Sequence, residues 1–353
     1  MKACKEELKA QNVGNALYGL QGMSSEVAEV RAMLAALVPQ VKACKEEFKA
    51  QNVGNTLYGL QGMSIEVSEV QAMLAALVPQ VKACKEEFSA QEVGNALYGL
   101  QGMSSEVPVV EEILALLFEN FDISKVGFTA QNIGNALYGL KNMHASYFAD
   151  ALVSHLLIRD KIDSTLYDDL DSFTSLVVAL NSLLQSDTYS KASWMDKVET
   201  LLAKLTRELE RRPCPVTTSK SEKRIAIVAE RMSWDTKDPL SVVVSSNTWL
   251  HGFEADIVLT VSKKNLTLQP QNATSSEILA IINVEVDGSY HRRMKKKSFC
   301  KVRDERMRRE GIRVVRWDIV DMEHYGCMKS ADIEKMLLAE VQKSLQSLPS
   351  SIE

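Results

Sequence analysis

The stretch VGNALYGLQGM at residues 13–23 returns as VGNTLYGLQGM at 53–63, VGNALYGLQGM at 93–103 and IGNALYGLKNM at 133–143, a strict period of 40 residues. Forty residues further on, Phe173, Ser175, Leu176, Ala179, Leu180 and Leu183 fall on Ile133, Asn135, Ala136, Gly139, Leu140 and Met143. The segment FTSLVVALNSLL is therefore a degenerate fifth copy, and the array extends to about residue 210.

Each unit reads as two helices. In the first, Val53, Leu57, Leu60 and Met63 recur at i, i+4, i+7 and i+10, one apolar stripe at helical period behind a polar Gln51. In the second, Val67, Val70, Leu74, Leu77 and Val81 repeat the pattern, with Ser64 as expected N-cap and Glu66 in the first turn. Gly62 closes the first helix, and Asp122 and Gly127 of DISKVGF mark the turn between units, where other copies carry KACKEEF. A helix pair cannot bury its stripe alone, so the expected architecture is an all-α solenoid over residues 1–210, offering a long surface to an extended ligand.

On that surface, Asn52, Asn55, Gly59 and Gly62 form a polar and small face beside the apolar stripe, with Gln51 and Tyr58 next to it. Amides suit base edges and tyrosines suit stacking, so Asn12, Asn15, Asn52, Asn55, Asn95, Asn135, Tyr58 and Tyr98 are candidate contacts to single-stranded RNA. The structural alternative is that the asparagine bonds a neighbouring turn and the glycines permit close helix packing. Residues 42–81 hold three lysines against four glutamates, a net of −1, so the array is no electrostatic clamp, and a protein-binding scaffold stays open for this half.

The pattern of Gln, an aliphatic, Asn, Ala-Leu, an aromatic, a small residue and Leu resembles the octotricopeptide-type repeats of algal and protist organellar RNA-binding proteins. It departs in period and in lacking that family's proline-rich stretch. The resemblance implies a mitochondrion or chloroplast. The first residues read as entering mid-repeat, so no targeting peptide is expected within this stretch, and no run approaches the apolar length of a membrane span.

Residues 211–222, RRPCPVTTSKSE, break the helical pattern and read as a linker. Beyond it, 223–347 read as an α/β domain: IAIVAE, LSVVVSS, FEADIVLTVS, ILAIINVEVDG and IRVVRWD are strand-like, the first equally helix-like, and 298–310 and 330–345 have helical composition. Alternation places Glu285 and Asp287 on one strand face and Val286 on the other, and Asp256 joins them if its strand pairs alongside. Three convergent carboxylates are the hard oxygen donors Mg²⁺ prefers, so Asp256, Glu285 and Asp287 are a candidate metal set, with His291 beside them as a candidate catalytic group.

VEVDGSYH followed by RDERMRREGIRVVRW resembles the RAP domain (RNA-binding domain abundant in apicomplexans) and the related very-short-patch-repair-like endonucleases of the PD-(D/E)xK fold. The resemblance covers about residues 250–320 and implies a restriction-endonuclease-like domain with Asp256 as first acid and Glu285 as second. Asp287 stands where that fold's lysine would be, leaving Lys295, Lys296, Lys297 or His291 to supply the positive charge.

The 353 residues are 46% apolar and 25% charged with a net charge of −5, which taken whole argues against a nucleic-acid partner. The average hides a contrast. Residues 292–316 carry twelve cations against three acids, a net of +9, and Arg292, Arg293, Lys295, Lys296, Lys297, Lys301, Arg303 and Arg306 are candidate phosphate contacts. The expected function is RNA binding in organellar RNA processing, stability or translation. A metal-dependent endonuclease and a protein scaffold are the alternatives.

Overall fold

The computed structural model describes residues 7–125, 127–162, 166–214, 220–234, 240–263, 278–287, 294–318 and 329–346. It consists of two compact units, Met1–Leu205 and Thr206–Glu353. The first is helical and the second holds one four-stranded mixed sheet with helices. Among the described residues no helix is long and apolar enough to cross a membrane.

In the first unit the helix pairs are α1 (Ala10–Tyr18) with α2 (Ala28–Ala43), α3 (Ala50–Tyr58) with α4 (Ser68–Ala83), α5 (Ala90–Gly99) with α6 (Pro108–Glu119), and α7 (Ala130–Leu140) with α8 (Ser146–Ile162). Then come α9 (Leu170–Leu184), which is the degenerate copy, and α10 (Met195–Glu210). The leading helices pack in sequence, α1 on α3, α3 on α5, α5 on α7 and α7 on α9, while α2 packs on α4 and α4 on α6. Phe118 of α6 continues the second row by meeting Phe148 of α8 edge-on at 5.1 Å. Between pairs, Phe48, Phe88 and Phe128 are fully buried, each a side chain whose removal from water stabilises by roughly 2–3 kcal/mol.

The second helix of each pair starts later than the Ser64 N-cap predicts. Val67 is the cap of α4, and Ser64 instead closes a turn, its carbonyl receiving the Val67 N–H at 3.2 Å and its hydroxyl the Glu66 N–H at 3.2 Å. Gly62 has φ +79, a left-handed conformation that lets the chain turn into this segment without a Cβ clash. Neighbouring units are tied there: Ser25 Oγ receives the Ser64 N–H at 2.9 Å, and Ser105 Oγ the His144 N–H at 2.7 Å. Ile65 occupies the same place in the second unit and is buried instead.

Carboxylates from the loops after the first two pairs reach back to cap the first helix of the same pair. Glu46 Oε2 receives the Ala10 N–H at 2.8 Å and Glu86 Oε2 the Ala50 N–H at 3.0 Å. The next position in this series is Val126, and there α5 is capped by its own Ser89, whose N–H reaches Glu92 Oε2 at 2.8 Å in a capping box. Glu86→Ala is therefore expected to cost about 1 kcal/mol through removal of the cap. Glu66→Ala, which removes an exposed carboxylate that receives no backbone N–H among the described residues, is expected to change the urea midpoint negligibly. The exposed pairs Lys45–Glu7 and Lys85–Glu47, both 2.7 Å, link the same loops and are worth little each.

In the second unit the strands are β1 (Leu240–Leu250), β2 (Phe253–Lys263), β3 (Ile278–Asp287) and β4 (Arg313–Asp318), in the order β1-β2-β3-β4. The first two pairings are antiparallel and β3–β4 is parallel, the crossover being supplied by α12 (Met294–Arg309). One sheet face, Ile257, Leu259 and Val261 with Ile282, Val284 and Val286, packs on α11 (Lys220–Arg231) and α13 (Ser330–Gln346). Trp317 lies in this core.

The strand-like run IAIVAE is helical. Ile225, Val228, Ala229 and Met232 recur at i, i+3, i+4 and i+7 and bury one face, so period decides over β-propensity. The linker predicted over 211–222 is shorter, because α11 begins at Lys220 and the Arg212 carbonyl receives the Trp249 indole N–H at 2.9 Å.

Candidate nucleic-acid interface

Each leading helix turns the same residues outward. Gln11, Gln51, Gln91 and Gln131 are exposed, and Asn15 is exposed with Asn55, Asn95 and Asn135 half-buried one unit apart. Among the described residues the amides of Asn15, Asn55, Asn95 and Asn135 have no protein partner, so a row of free donors and acceptors runs from unit to unit. Asn12 and Asn52 are used differently. Their Oδ1 atoms receive the Lys9 and Lys49 N–H groups at 3.3 and 3.0 Å, as Asn132 receives that of Thr129, which leaves only their NH₂ groups to a ligand.

The tyrosines expected to stack on bases stack on one another. Tyr18, Tyr58, Tyr98 and Tyr138 form a ladder with centroids 5.6, 5.8 and 5.7 Å apart and planes within 29°. Both faces of Tyr58 are covered by Tyr18 and Tyr98, and Tyr98 is only 3% exposed, its burial pushing the phenol up beyond any physiological titration. Neither ring is open to a base. At the far end the Lys141 ammonium sits 3.7 Å from the Tyr138 centroid, a cation–π cap.

What brings the rings so close is the glycine next to each tyrosine. A Cβ on Gly59 would lie 2.0 Å from the Leu17 carbonyl oxygen, on Gly99 2.0 Å from that of Leu57, and on Gly139 2.1 Å from that of Leu97. Backbone meets backbone at these points. The glycine-for-packing reading of the repeat thus holds alongside the free asparagine row.

In the second unit the sheet face opposite the apolar core is polar and lies under α12. Asp256 on β2 and Glu285 on β3 are neighbours, with Asp256 Oδ2 receiving the Val286 N–H at 2.8 Å. Glu285 is 1% exposed, and both of its oxygens are engaged: Oε2 lies 2.7 Å from Arg303 Nη1, and Oε1 receives the Asn283 amide at 2.8 Å. Burial pushes the Glu285 carboxyl up to about 7, against the downward pull of Arg303, while Asp256 adds to the rise. Asp304 extends the network, lying 3.5 Å from Arg303 Nε and gripped by Arg316 through contacts of 2.9–3.1 Å.

This arrangement redirects several expectations. Arg303 is an internal partner of Glu285, its side chain 11% exposed, and is turned away from any phosphate. A cation at Glu285 has first to displace that guanidinium. Among the described residues no group of three His, Cys, Asp or Glu is placed to hold a metal. The Asp287 backbone pairs with Asp318 in β3–β4, but its side chain, and His291, Arg292 and Arg293 altogether, lie outside the described residues. Sequence reading missed Asn283, fully buried with its Oδ1 unpartnered; its signal was a polar residue on the Glu285 face of an apolar strand.

Much of the +9 stretch is neutralised from within. Arg306 pairs with Glu310 at 2.7 Å, Arg308 and Arg309 with Glu305, Arg313 with Glu340 at 2.8 Å, and Arg316 with Asp304. Lys301 is exposed and has no acidic partner among the described residues. Lys295, Lys296 and Lys297 lie in the first turns of α12, whose first turn holds no acidic residue; their side chains lie outside the described residues. The segment 292–301 holds six cations and no acid, the densest unopposed charge in the stretch. Protein-family models and curated proteins were both compared with the chain, and none matches.

Proposed function

We propose that this chain binds single-stranded RNA, with the helix pairs forming an α-solenoid that reads bases and the second unit, a RAP-like domain on a restriction-endonuclease-like fold, holding the backbone. The observation that carries the reading is the row of unpartnered amides at Asn15, Asn55, Asn95 and Asn135, one per 40-residue unit. Neutral amides on a surface of small net charge discriminate base edges without gripping phosphate indiscriminately. Phosphate contact falls to the cations at 292–301, and a role in organellar RNA processing, stability or translation follows from the family resemblance.

The test is fluorescence anisotropy with labelled homopolymer and mixed RNA at two salt concentrations. Because the first three units carry the same Gln, Asn and Tyr at these positions, a tract of one repeated base is expected to bind most tightly. Changing Asn15, Asn55, Asn95 and Asn135 together to Ala is expected to weaken that tract at least tenfold and to erase the base preference. Lys295→Glu, Lys296→Glu and Lys297→Glu combined are expected to weaken all RNAs alike and to flatten the salt dependence by roughly 0.7 for each phosphate the variant no longer neutralises. Unchanged affinity in both variants favours the scaffold reading. Mg²⁺- or Mn²⁺-dependent cutting that Glu285→Ala abolishes favours the nuclease.

A further inference from the structure

Among the described residues, the surface that each unit presents to its predecessor is left uncovered on the first unit. Tyr18 is 39% exposed, whereas its counterparts Tyr58 and Tyr98 are half-buried and buried. Met23 and Met33 are exposed where Met63 and Met73 are buried. A Cβ on Gly19 would meet nothing closer than two carbonyls of its own helix at 3.4 Å, whereas the same addition at Gly59 strikes a neighbouring backbone at 2.0 Å.

Polar groups repeat the pattern. The Ser24 N–H, whose counterpart Ser64 donates to Ser25, has no acceptor among the described residues. The same is true of the Gln40 amide, whose counterpart Gln80 donates to the Val41 carbonyl at 3.3 Å. Four kinds of contact that join unit two to unit one are therefore presented again, unsatisfied: a ring face, a glycine groove, an apolar patch and two donors.

We propose that this face is a docking site for one further helix pair of the same repeat class, seated in register. The occupant must offer a tyrosine-like ring to Tyr18, a backbone carbonyl to Gly19, a hydroxyl to Ser24 and a second carbonyl to Gln40. Those are the groups the trailing side of unit one offers to unit two. A second copy of the chain meeting face to face offers donors to donors and groove to groove, so the polarity of the face selects against it. A nucleobase stacked on Tyr18 satisfies the ring but leaves the glycine groove and the apolar patch open.

The experiment fuses one additional unit, a copy of residues 10–49, ahead of residue 10 of the full chain. The fusion is expected to raise the thermal midpoint and to lower the reactivity of Tyr18 toward tetranitromethane at least fivefold. Gly19→Ala is expected to leave the midpoint of the present chain within about 1 °C and to lower that of the fusion by about 5 °C or more. A fusion that gains no midpoint, or in which Gly19→Ala costs the same as in the present chain, overturns the proposal. So does Tyr18 protection in the unfused chain, whether it follows dimer formation by light scattering or addition of oligo-RNA.

Discussion

Gly99→Ala is expected to destabilise the helical unit by about 3 kcal/mol or more, measured by urea unfolding followed by circular dichroism. The added methyl carbon lands 2.0 Å from the Leu57 carbonyl oxygen and 2.7 Å from the Tyr58 Cα, both backbone atoms that no rotamer change can move aside. Relief requires α3 and α5 to separate. Separation in turn lengthens the 5.8 Å Tyr58–Tyr98 contact and opens the apolar seam built on Val53, Leu57, Val93 and Leu97. The same substitution at the same motif position in the first unit, Gly19→Ala, is expected to be neutral or slightly stabilising. Gly19 has φ −63 and ψ −17, which alanine adopts readily, and it gains from the smaller entropy of the unfolded chain. Equal costs at 19 and 99 are incompatible with backbone contact as the reason for the glycine.

The other large effect is expected in the second unit. Arg303→Met leaves Glu285 buried and without its cation, a loss of about 3–5 kcal/mol when that carboxyl is ionised. The sign of the pH dependence follows from the direction of the shift. With its folded value raised to about 7, above the ordinary carboxylate range of the unfolded chain, Glu285 contributes stability that is present in acid and lost as pH rises through 7. Between pH 5 and pH 8 the unmodified protein is expected to lose on the order of 3 kcal/mol from this group. Arg303→Met raises the folded value further, so its penalty is expected to be small at pH 5 and full at pH 8. Glu285→Gln is expected to flatten the profile. A penalty for Arg303→Met that is the same at both pH values removes the ion pair as its cause.

Much of this molecule is legible in its sequence because repetition averages out local ambiguity. Four near-identical copies of one motif set the period, and the period alone implies helix pairs that bury Val53, Leu57, Val70 and Leu74. The strands are readable where apolar runs are long, as in FEADIVL and NVEVD. What escapes depends on contacts distant in sequence. Tyr58 and Tyr98 look like stacking platforms until the 40-residue period is seen to lay them on one another, and Arg303 looks like a phosphate ligand until α12 folds it onto Glu285. The same holds for Glu46 and Glu86, whose partners at Ala10 and Ala50 lie 36 residues upstream. A charge run states how many cations are present and not which acids they find.

The serine hydroxyls that join neighbouring units have a thermal counterpart. Ser25 and Ser105 each contribute a directional bond to the next unit's backbone, whereas at the equivalent position Ile65 contributes buried apolar surface. Burial of apolar surface loosens on cooling, whereas a hydrogen bond does not share that weakness. Of these three equivalent positions Ile65 is thus the one whose grip slackens on cooling, and there the backbone bond from the Phe88 N–H to the Asn120 carbonyl, 3.1 Å, is what keeps the second and third units fastened in the cold.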